Sequence, residues 1–402
     1  MTRGLHVLHL VEDFPPPDQV SGGAPISVRL QIEALSELCR VTVLAPQQRF
    51  LPLQRYRQRA SARAPGALER EPFPGVLVHR PAYLHLPLLW PLTTPLQILA
   101  SILWTLWRHA PDAVLVHGHR GYPMGVSAVL AARCAGRRSV WTAHGSDVHA
   151  QARHGEGRVR GPVRWALRGA DWVIAVSQEL RGIALALGAR PERVAYVPNG
   201  VDLRRFPARD REDARRALGR DPNRRLVLCA ANLVPVKGHD VLLDAWAQLG
   251  ESVRGVDLVL LGDGPLRGAL EERARRLGIG ERMCFAGRVP YSAMPGWLAA
   301  CDVLVLPSLA EGTPLIALEA LASGRPVVAT SVGGTAEVVN RDAYGLLVPP
   351  GNAVTLATAL RDALTRPWEE DVLRRRAEDF AWPKLAGEIF DGYLRLAGRR
   401  GA

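Results

Sequence analysis

Lysine is almost missing from this chain. Of 51 basic residues only Lys237 and Lys384 are lysines, so 49 are arginines. A lysine inside the run ANLVPVKGHDVLLDAW therefore marks a place that wants a compact, rotating ammonium rather than a planar fork. Cysteine is scarce too. Cys39, Cys134, Cys229, Cys284 and Cys301 are scattered, odd in number and set in apolar runs. They show neither zinc spacing nor a redox pair, and read as reduced core thiols of a cytoplasmic protein. The apolar stretch in MTRGLHVLHLVEDF is too short for a secretory leader before it meets acids. No zinc finger, RNA-binding signature or basic–aromatic pattern occurs, so nucleic acid is not an expected partner. No Asp-x-Asp metal motif occurs either.

What is present suits two globular domains. The chain has 402 residues, 48% of them hydrophobic, with an ordinary charged fraction of 22%. Its net charge of +12 has two readings. One is attraction to an anion such as a nucleotide or an anionic lipid. The other is an arginine habit on solvated faces.

Strand-like and helix-like segments alternate, the pattern of parallel α/β layers. The first series runs LHVLHLV (5–11), RVTVLAP, AVLVHGH (113–119), SVWTAHG (139–145), WVIAVS (172–177) and RVAYVPNGVD. A helix over 26–38 opens at Pro25, a favourable first-turn residue, and 47–70 reads as irregular. The second series runs RLVLCAANL (225–233), VDLVLLGDG, RMCFAGRV, CDVLVLPS, RPVVATSV and YGLLVPPG. The expected division is 1–202, 203–380 and a last helix, 381–402. Two such Rossmann-like halves are expected to face across a deep cleft at the carboxyl ends of their strands. Residues 84–107 carry no charge, but Pro87, Pro91 and Pro95 argue against a membrane span. A clean helix is expected only over 96–107, either covering the first sheet or forming a monotopic membrane-facing surface.

The strongest chemical signal is EGTPLIALE, which sets Glu311 and Glu319 eight residues apart across a strand–loop–helix junction. Glu311 would lie in the loop and Glu319 in the second helical turn. Thr313 and Pro314 would serve as cap and first-turn proline. Gly312 permits close ligand approach, and free amides near Leu315 favour phosphate. Together with Lys237 this reads as a site for a phosphorylated, hydroxyl-rich ligand. Gly22-Gly23 would also allow backbone approach after the first strand, although the pair alone is a common turn. His144 falls at a strand end. Asp147 is either a helix cap or a substrate contact, and Asn199 is read as shaping a turn.

The span from Glu311 to Glu319 resembles the E-x7-E motif of glycosyltransferase family 4, retaining sugar-nucleotide transferases of the GT-B fold. VPVKGHDVLLDA, LLGDGPLRGALEERARRLGI, VVATSVGGTAEVV and GLLVPPGN follow the family order, as do SGGAPISVRLQIEAL, HRGYPMGVSAVLAAR, TAHGSDVH and VPNGVDLRRF. The resemblance implies a nucleotide-diphosphate sugar as donor substrate, with UDP, GDP and ADP all open, and no cofactor. Glu319 would hold the ribose hydroxyls. Glu311 would lie against the donor sugar. Lys237 and the amides of Gly312–Leu315 would neutralise the diphosphate. Gly22 and Gly23 would line the donor site, His144 would touch the donor sugar or acceptor hydroxyl, and His119 and Asp147 would serve the acceptor. The acceptor would be a glycan, a lipid-linked glycan or a small molecule, in cell-envelope or exopolysaccharide synthesis at the inner membrane face. One departure stands out. Many relatives read Gly-Arg-Leu where this chain has Ala231-Asn232-Leu233. A second clamp cation is missing there, with Arg288 as a possible substitute. With no metal motif, the implied transfer is metal-independent. The rival readings are a sugar-nucleotide epimerase and a non-catalytic anion- or membrane-binding protein.

Overall fold

The computed structural model describes residues 4–14, 24–49, 68–70, 76–84, 90–145 and 157–398. Gly22, Gly23 and Asp147 lie outside the described residues. The chain divides into two compact units. The first comprises Met1–Phe14, Val28–Pro198 and Pro383–Ala402; the second comprises Pro15–Ser27 and Asn199–Trp382.

In the first unit the strands are β1 His6–Leu10, β2 Arg40–Leu44, β3 Gln47–Arg49, β4 Leu68–Arg70, β5 Val76–His79, β6 Ala82–Leu84, β7 Leu115–His119, β8 Arg138–Ala143, β9 Trp172–Ala175 and β10 Val194–Tyr196. Eight form one sheet in the order β10-β9-β8-β7-β1-β2-β5-β4, while β3 pairs with β6. All pairings are parallel except β4 with β5. Strands such as β1 and β7 are buried throughout, as a sheet covered on both faces requires.

The Trp90–Arg108 helix covers part of this sheet. Ile98, Ile102 and Leu106, four residues apart, pack with Leu8, Leu44 and Val116. The helix starts earlier than expected and includes Pro95. Pro91 sits in the first turn, where no N–H is needed. Pro95 removes one backbone bond, and the buried apolar face offsets that loss. No helix among the described residues is long and apolar enough to cross a membrane. The expected irregular segment 47–70 also needs correction, because β3 and β4 fall within it. A sheet edge accepts short, charged strands of that kind. Of the cysteines, Cys134 is exposed in the last turn of the Val126–Cys134 helix rather than in the core.

In the second unit β11 Arg225–Ala230, β12 Val256–Leu261, β13 Met283–Gly287, β14 Val303–Leu306, β15 Val327–Thr330 and β16 Gly345–Val348 form one sheet in the order β13-β12-β11-β14-β15-β16. Every pairing is parallel. Leu242, Leu243 and Trp246 of the His239–Leu249 helix and Leu356 and Leu360 of the Ala353–Thr365 helix pack with Val227, Leu258 and Val328. Two arginines are structural here. Arg325, 1% exposed, donates to the carbonyls of Leu298 and Ala299; Arg215 donates to Ala300 and pairs with Asp302 at 2.6 Å. Both satisfy orphan carbonyls at the end of the Met294–Ala300 helix. The molecule thus has two Rossmann-like parallel-sheet domains, the GT-B class.

Strand order reverses in each sheet, between β1 and β7 and between β11 and β14. Ligands of open parallel sheets bind outside the carboxyl ends at such reversals. At the second reversal Gly238 takes φ 62°, and a Cβ there would stand 2.1 Å from the Pro307 carbonyl oxygen. Gly219 takes φ 66° with open space around it. Gly219→Ala should therefore cost only the left-handed strain, about 1–2 kcal/mol. Gly238→Ala should cost clearly more, because the loops after β11 and β14 must separate. Thermal melts of the two variants make the comparison, and equal losses would contradict the close approach.

Candidate functional site

The second unit gathers its chemistry around the β11/β14 reversal. The loop after β11 makes a short 3-10 turn, Pro235–Lys237, and Gly238 then starts the His239–Leu249 helix. This turn points Lys237 across to the loop after β14. Lys237 Nζ donates to Glu311 Oε1 at 2.5 Å, and Ser308 Oγ donates to the same oxygen at 2.7 Å. Their side chains are 24% and 12% exposed, so the pair is partly desolvated yet reachable. An ion pair so placed is stronger than a surface one and keeps lone pairs and protons for a ligand.

The Glu311 loop is clamped from several sides. Leu309 N–H donates to Val236 O at 2.8 Å, and Gly334 N–H donates to Gly312 O at 2.7 Å. Gly333 and Gly334 approach so closely that their Cβ atoms would stand 2.0 Å and 2.6 Å from the carbonyl oxygens of Glu311 and Gly312. Asn199 Nδ2 donates to Thr313 O at 3.2 Å. This gives the buried Asn199 a role in holding the loop.

The Leu315–Ala322 helix follows, with Pro314 at its N-cap and no side-chain cap. Thr313 is therefore not the expected cap; it is buried and precedes a proline, which disfavours helical backbone before it. Glu319, in the second turn, is 3% exposed and accepts from Tyr291 Oη at 2.7 Å. Burial raises its pKa to about 7, against the opposing pull of the Tyr291 bond and the Arg205 charge. Burial, with the Glu319 charge beside it, pushes the Tyr291 hydroxyl well above its usual range, so it stays a donor. Asn232, after β11, and Arg288, after β13, are both exposed at the carboxyl edge of the sheet. No described bond joins either side chain to Lys237 or Glu311. Sequence reasoning missed Tyr291, Ser308 and the buried His239. Burial, then Lys237, lowers the pKa of His239 to about 4, and neither ring nitrogen has a partner among the described residues.

The first unit places a histidine chain at its own reversal. His9 Nδ1 and His119 Nε2 lie 2.9 Å apart, and His119 Nδ1 and His144 Nε2 lie 3.2 Å apart. His117 stacks on His119 and bonds Tyr393 Oη at 2.5 Å and Thr142 Oγ1 at 2.7 Å. His119 was expected to meet an acceptor. It is instead 1% exposed with both nitrogens occupied, so it can only support His144. Among the described residues, His9 Nε2 and His144 Nδ1 end the chain without partners. With each ring neutral, either tautomer order leaves a bare nitrogen at one end of the chain and an N–H at the other. His9, His117 and His119 are close enough to suggest metal ligands. Apart from His9 Nε2, their nitrogens are spent on one another, on His144, on Tyr393 and on Thr142, so a hydrogen-bonded stack is the better description. Beside it Arg120, with φ 70°, pairs with Glu12.

The comparisons with known proteins agree with this architecture. The model of Glycosyltransferase Family 4 matches residues 21–205, and that of Glycosyl transferases group 1 matches 210–380. The chain belongs to glycosyltransferase family 4. TuaC of Bacillus subtilis (strain 168), whose name provisionally assigns it to teichuronic acid biosynthesis as a glycosyltransferase, is 29% identical, covering 93% of this chain and 90% of TuaC. D-inositol 3-phosphate glycosyltransferase 2 of Catenulispora acidiphila is 36% identical over 56% of each chain. Among solved structures, sucrose-phosphate synthase from Thermosynechococcus elongatus superposes with a TM-score of 0.80 at 22% identity, covering 98% of this chain and 100% of that one. Anabaena Alr3699/HepE gives a TM-score of 0.73 at 22% identity, covering 97% and 100%. This family 4 protein is thus a glycosyltransferase with two GT-B domains.

Its histidine chain has a consequence for acid stability. Burial lowers the pKa of His9 and His144 to about 3, and holds His117 and His119 well below the usual value. The unfolded chain takes up these protons near pH 6.5, and the folded chain only far lower. Between those limits the unfolded state binds more protons, so stability falls as pH drops below about 6.5. Replacing His9 with phenylalanine should flatten that decline by about one proton. Melting temperatures from pH 7.5 to 5 give the slope, and an unchanged slope would count against a neutral, buried His9.

Proposed function

We propose that this glycosyltransferase moves a sugar from a nucleotide-diphosphate sugar to an acceptor hydroxyl with retention of anomeric configuration. The observation that carries the reading is the Lys237–Glu311 pair at the strand reversal of the second domain, with the Tyr291-bound Glu319 on the helix that follows the Glu311 loop. That domain would take the donor and the first the acceptor, with the terminal 381–402 helix belonging to the first.

Glu319 would accept the two ribose hydroxyls. Lys237 would turn its remaining N–H bonds to the diphosphate, aided by the amides of Gly312, Thr313 and Leu315, where negative charge builds as the leaving group departs. Pro314 supplies no amide. Glu311 would face the sugar and stabilise positive charge at its anomeric carbon. Attack from the leaving-group face forms the bond from acceptor oxygen to anomeric carbon as the carbon–phosphate-oxygen bond breaks. The acceptor's proton passes to the leaving phosphate. His144 would offer Nδ1 to a sugar or acceptor hydroxyl. Gly22, Gly23 and Asp147 keep their proposed roles at the donor loop and the acceptor.

Asn232 gives the clamp a hydrogen-bond donor without a charge, a loss worth roughly 1.5–3 kcal/mol of donor binding, and Arg288 is the candidate to offset it. Alr3699/HepE has been crystallised with UDP-glucose, which supports a UDP-sugar as the first donor to test. TuaC's name supports a cell-envelope glycan as acceptor, with peripheral contact at the inner membrane face. Lys237 and the amides stand in for a metal, so transfer is proposed to be metal-independent.

A thermal-shift screen of UDP, GDP, ADP and their sugar conjugates tests the donor site. One series should raise the melting temperature, by about 2.7 kcal/mol of stabilisation at a hundredfold excess over Kd, and Glu319→Ala should abolish the shift. The wild-type affinity should also rise roughly tenfold from pH 6 to pH 8, as the Glu319 carboxylate ionises with its pKa near 7. No shift with any nucleotide would remove the reading.

Turnover tests the catalytic roles. Lys237→Ala and Glu311→Gln should each lower kcat by about a hundredfold or more, with a smaller change in KM. Chelator should leave wild-type turnover intact. Activity lost to chelator and restored by magnesium or manganese would show a metal-dependent enzyme.

A further inference from the structure

A second site lies at the opposite edge of the first sheet. Arg133, Arg164, Arg168 and Arg190 line a cavity of ≈ 540 Å³ together with Trp165. Its position follows from chain order. Arg133 precedes β8, Arg164 and Arg168 precede β9, and Arg190 precedes β10. All four therefore sit at the amino ends of strands whose carboxyl ends lead to His144 and its neighbours. β8 has six residues, so the two edges are roughly 20 Å apart at a strand rise of about 3.3 Å per residue.

The cavity is built to bring guanidinium groups together. A Cβ on Gly169 would stand 2.3 Å from Arg133, and one on Gly188 would stand 2.7 Å from Arg168. Both glycines leave the room that an arginine occupies. Arg133 lies over the Trp165 ring at 4.7 Å from its centroid, a cation–π contact that fixes the guanidinium plane. Among the described residues no carboxylate lines the cavity. Among the described residues none of the four arginines has an ion pair, although elsewhere in the chain arginines commonly find one, as Arg138, Arg224 and Arg273 do. Arginines in a last helical turn ordinarily complement the helix dipole. That account covers Arg133 and Arg168. It does not cover Arg164, a turn earlier, or Arg190, outside any α-helix.

We propose that this cavity binds a phosphate group, held by the bidentate fork geometry that suits arginine to phosphoryl oxygens. The group is that of a soluble phosphate compound or of an anionic lipid headgroup. The cavity belongs to the first unit, and the Lys237 site to the second.

The full-length protein would be titrated calorimetrically with inorganic phosphate and pyrophosphate. It would also be sedimented with phosphatidylglycerol–phosphatidylcholine vesicles and with phosphatidylcholine alone. Arg133→Ala, Arg168→Ala and Arg190→Glu would be compared with wild type, each checked by its melting temperature. Arg133, Arg168 and Arg190 are all exposed, so each substitution leaves the core in place, and Arg190→Glu adds a reversal of charge. Binding of free phosphate or pyrophosphate, weakened roughly tenfold or more by each variant and by added salt, supports a soluble ligand. Binding only to anionic vesicles, weakened likewise, supports a headgroup. Absence of both, or binding that the variants leave unchanged, overturns the proposal. The nucleotide thermal shift should be the same in all variants, so failure of the donor reading and failure of this one are told apart.

Discussion

The reversal of strand order is the constraint on which the rest of this molecule depends. Between β11 and β14 two crossover connections leave in opposite directions, so no helix covers the carboxyl ends there. The loops after those two strands then pack directly on each other. Gly238 lets them approach, and Lys237 and Glu311 tie them together. The Gly333–Gly334 turn after β15 closes on the same loop through backbone contacts that admit no side chain. The site is thus held in place mostly by backbone, which leaves the Lys237, Glu311 and Glu319 side chains to the proposed donor contacts.

The two reversals solve the problem of buried ionisable groups in different ways. In the first domain the histidines are kept neutral and spend their nitrogens on one another. This costs acid stability but leaves no buried charge. In the second domain charge is retained, partly exposed, in a Lys–Glu pair. Glu319 lies between these cases: buried enough to hold a proton near neutrality, yet already given one hydroxyl partner by Tyr291. A ligand bringing two more hydroxyls would favour its ionised form.

The sequence was most legible where pattern repeats. Buried parallel strands such as LVLCA and DVLVL read as apolar runs, and every strand expected in the second series is present. Lys237, Glu311 and Glu319 were legible through residue type and spacing. What escaped was long-range pairing. Tyr291 and Glu319 are 28 residues apart, and His117 and Tyr393 are 276 apart; no local period links them. His9 and His117 looked like strand residues because their partners come from neighbouring strands in register. The Trp90–Arg108 helix was cut short because proline rules weigh each residue alone, while the apolar face of Ile98, Ile102 and Leu106 stabilises the whole helix.

The near-absence of lysine makes its presence at the site intelligible. Elsewhere arginine serves as a fixed fork, reaching several carbonyls at once in Arg215 and Arg325. A fork at position 237 would lock onto Glu311 through two parallel bonds and spend most of its donors there. An ammonium holds Glu311 with one N–H and keeps two that rotate freely. It can orient the carboxylate before a ligand arrives and still meet an incoming phosphate without breaking that bond. With Asn232 contributing no charge, the two remaining protons of Lys237 are the charged donors this loop can offer. The cation that the chain otherwise avoids is the one whose geometry allows both tasks.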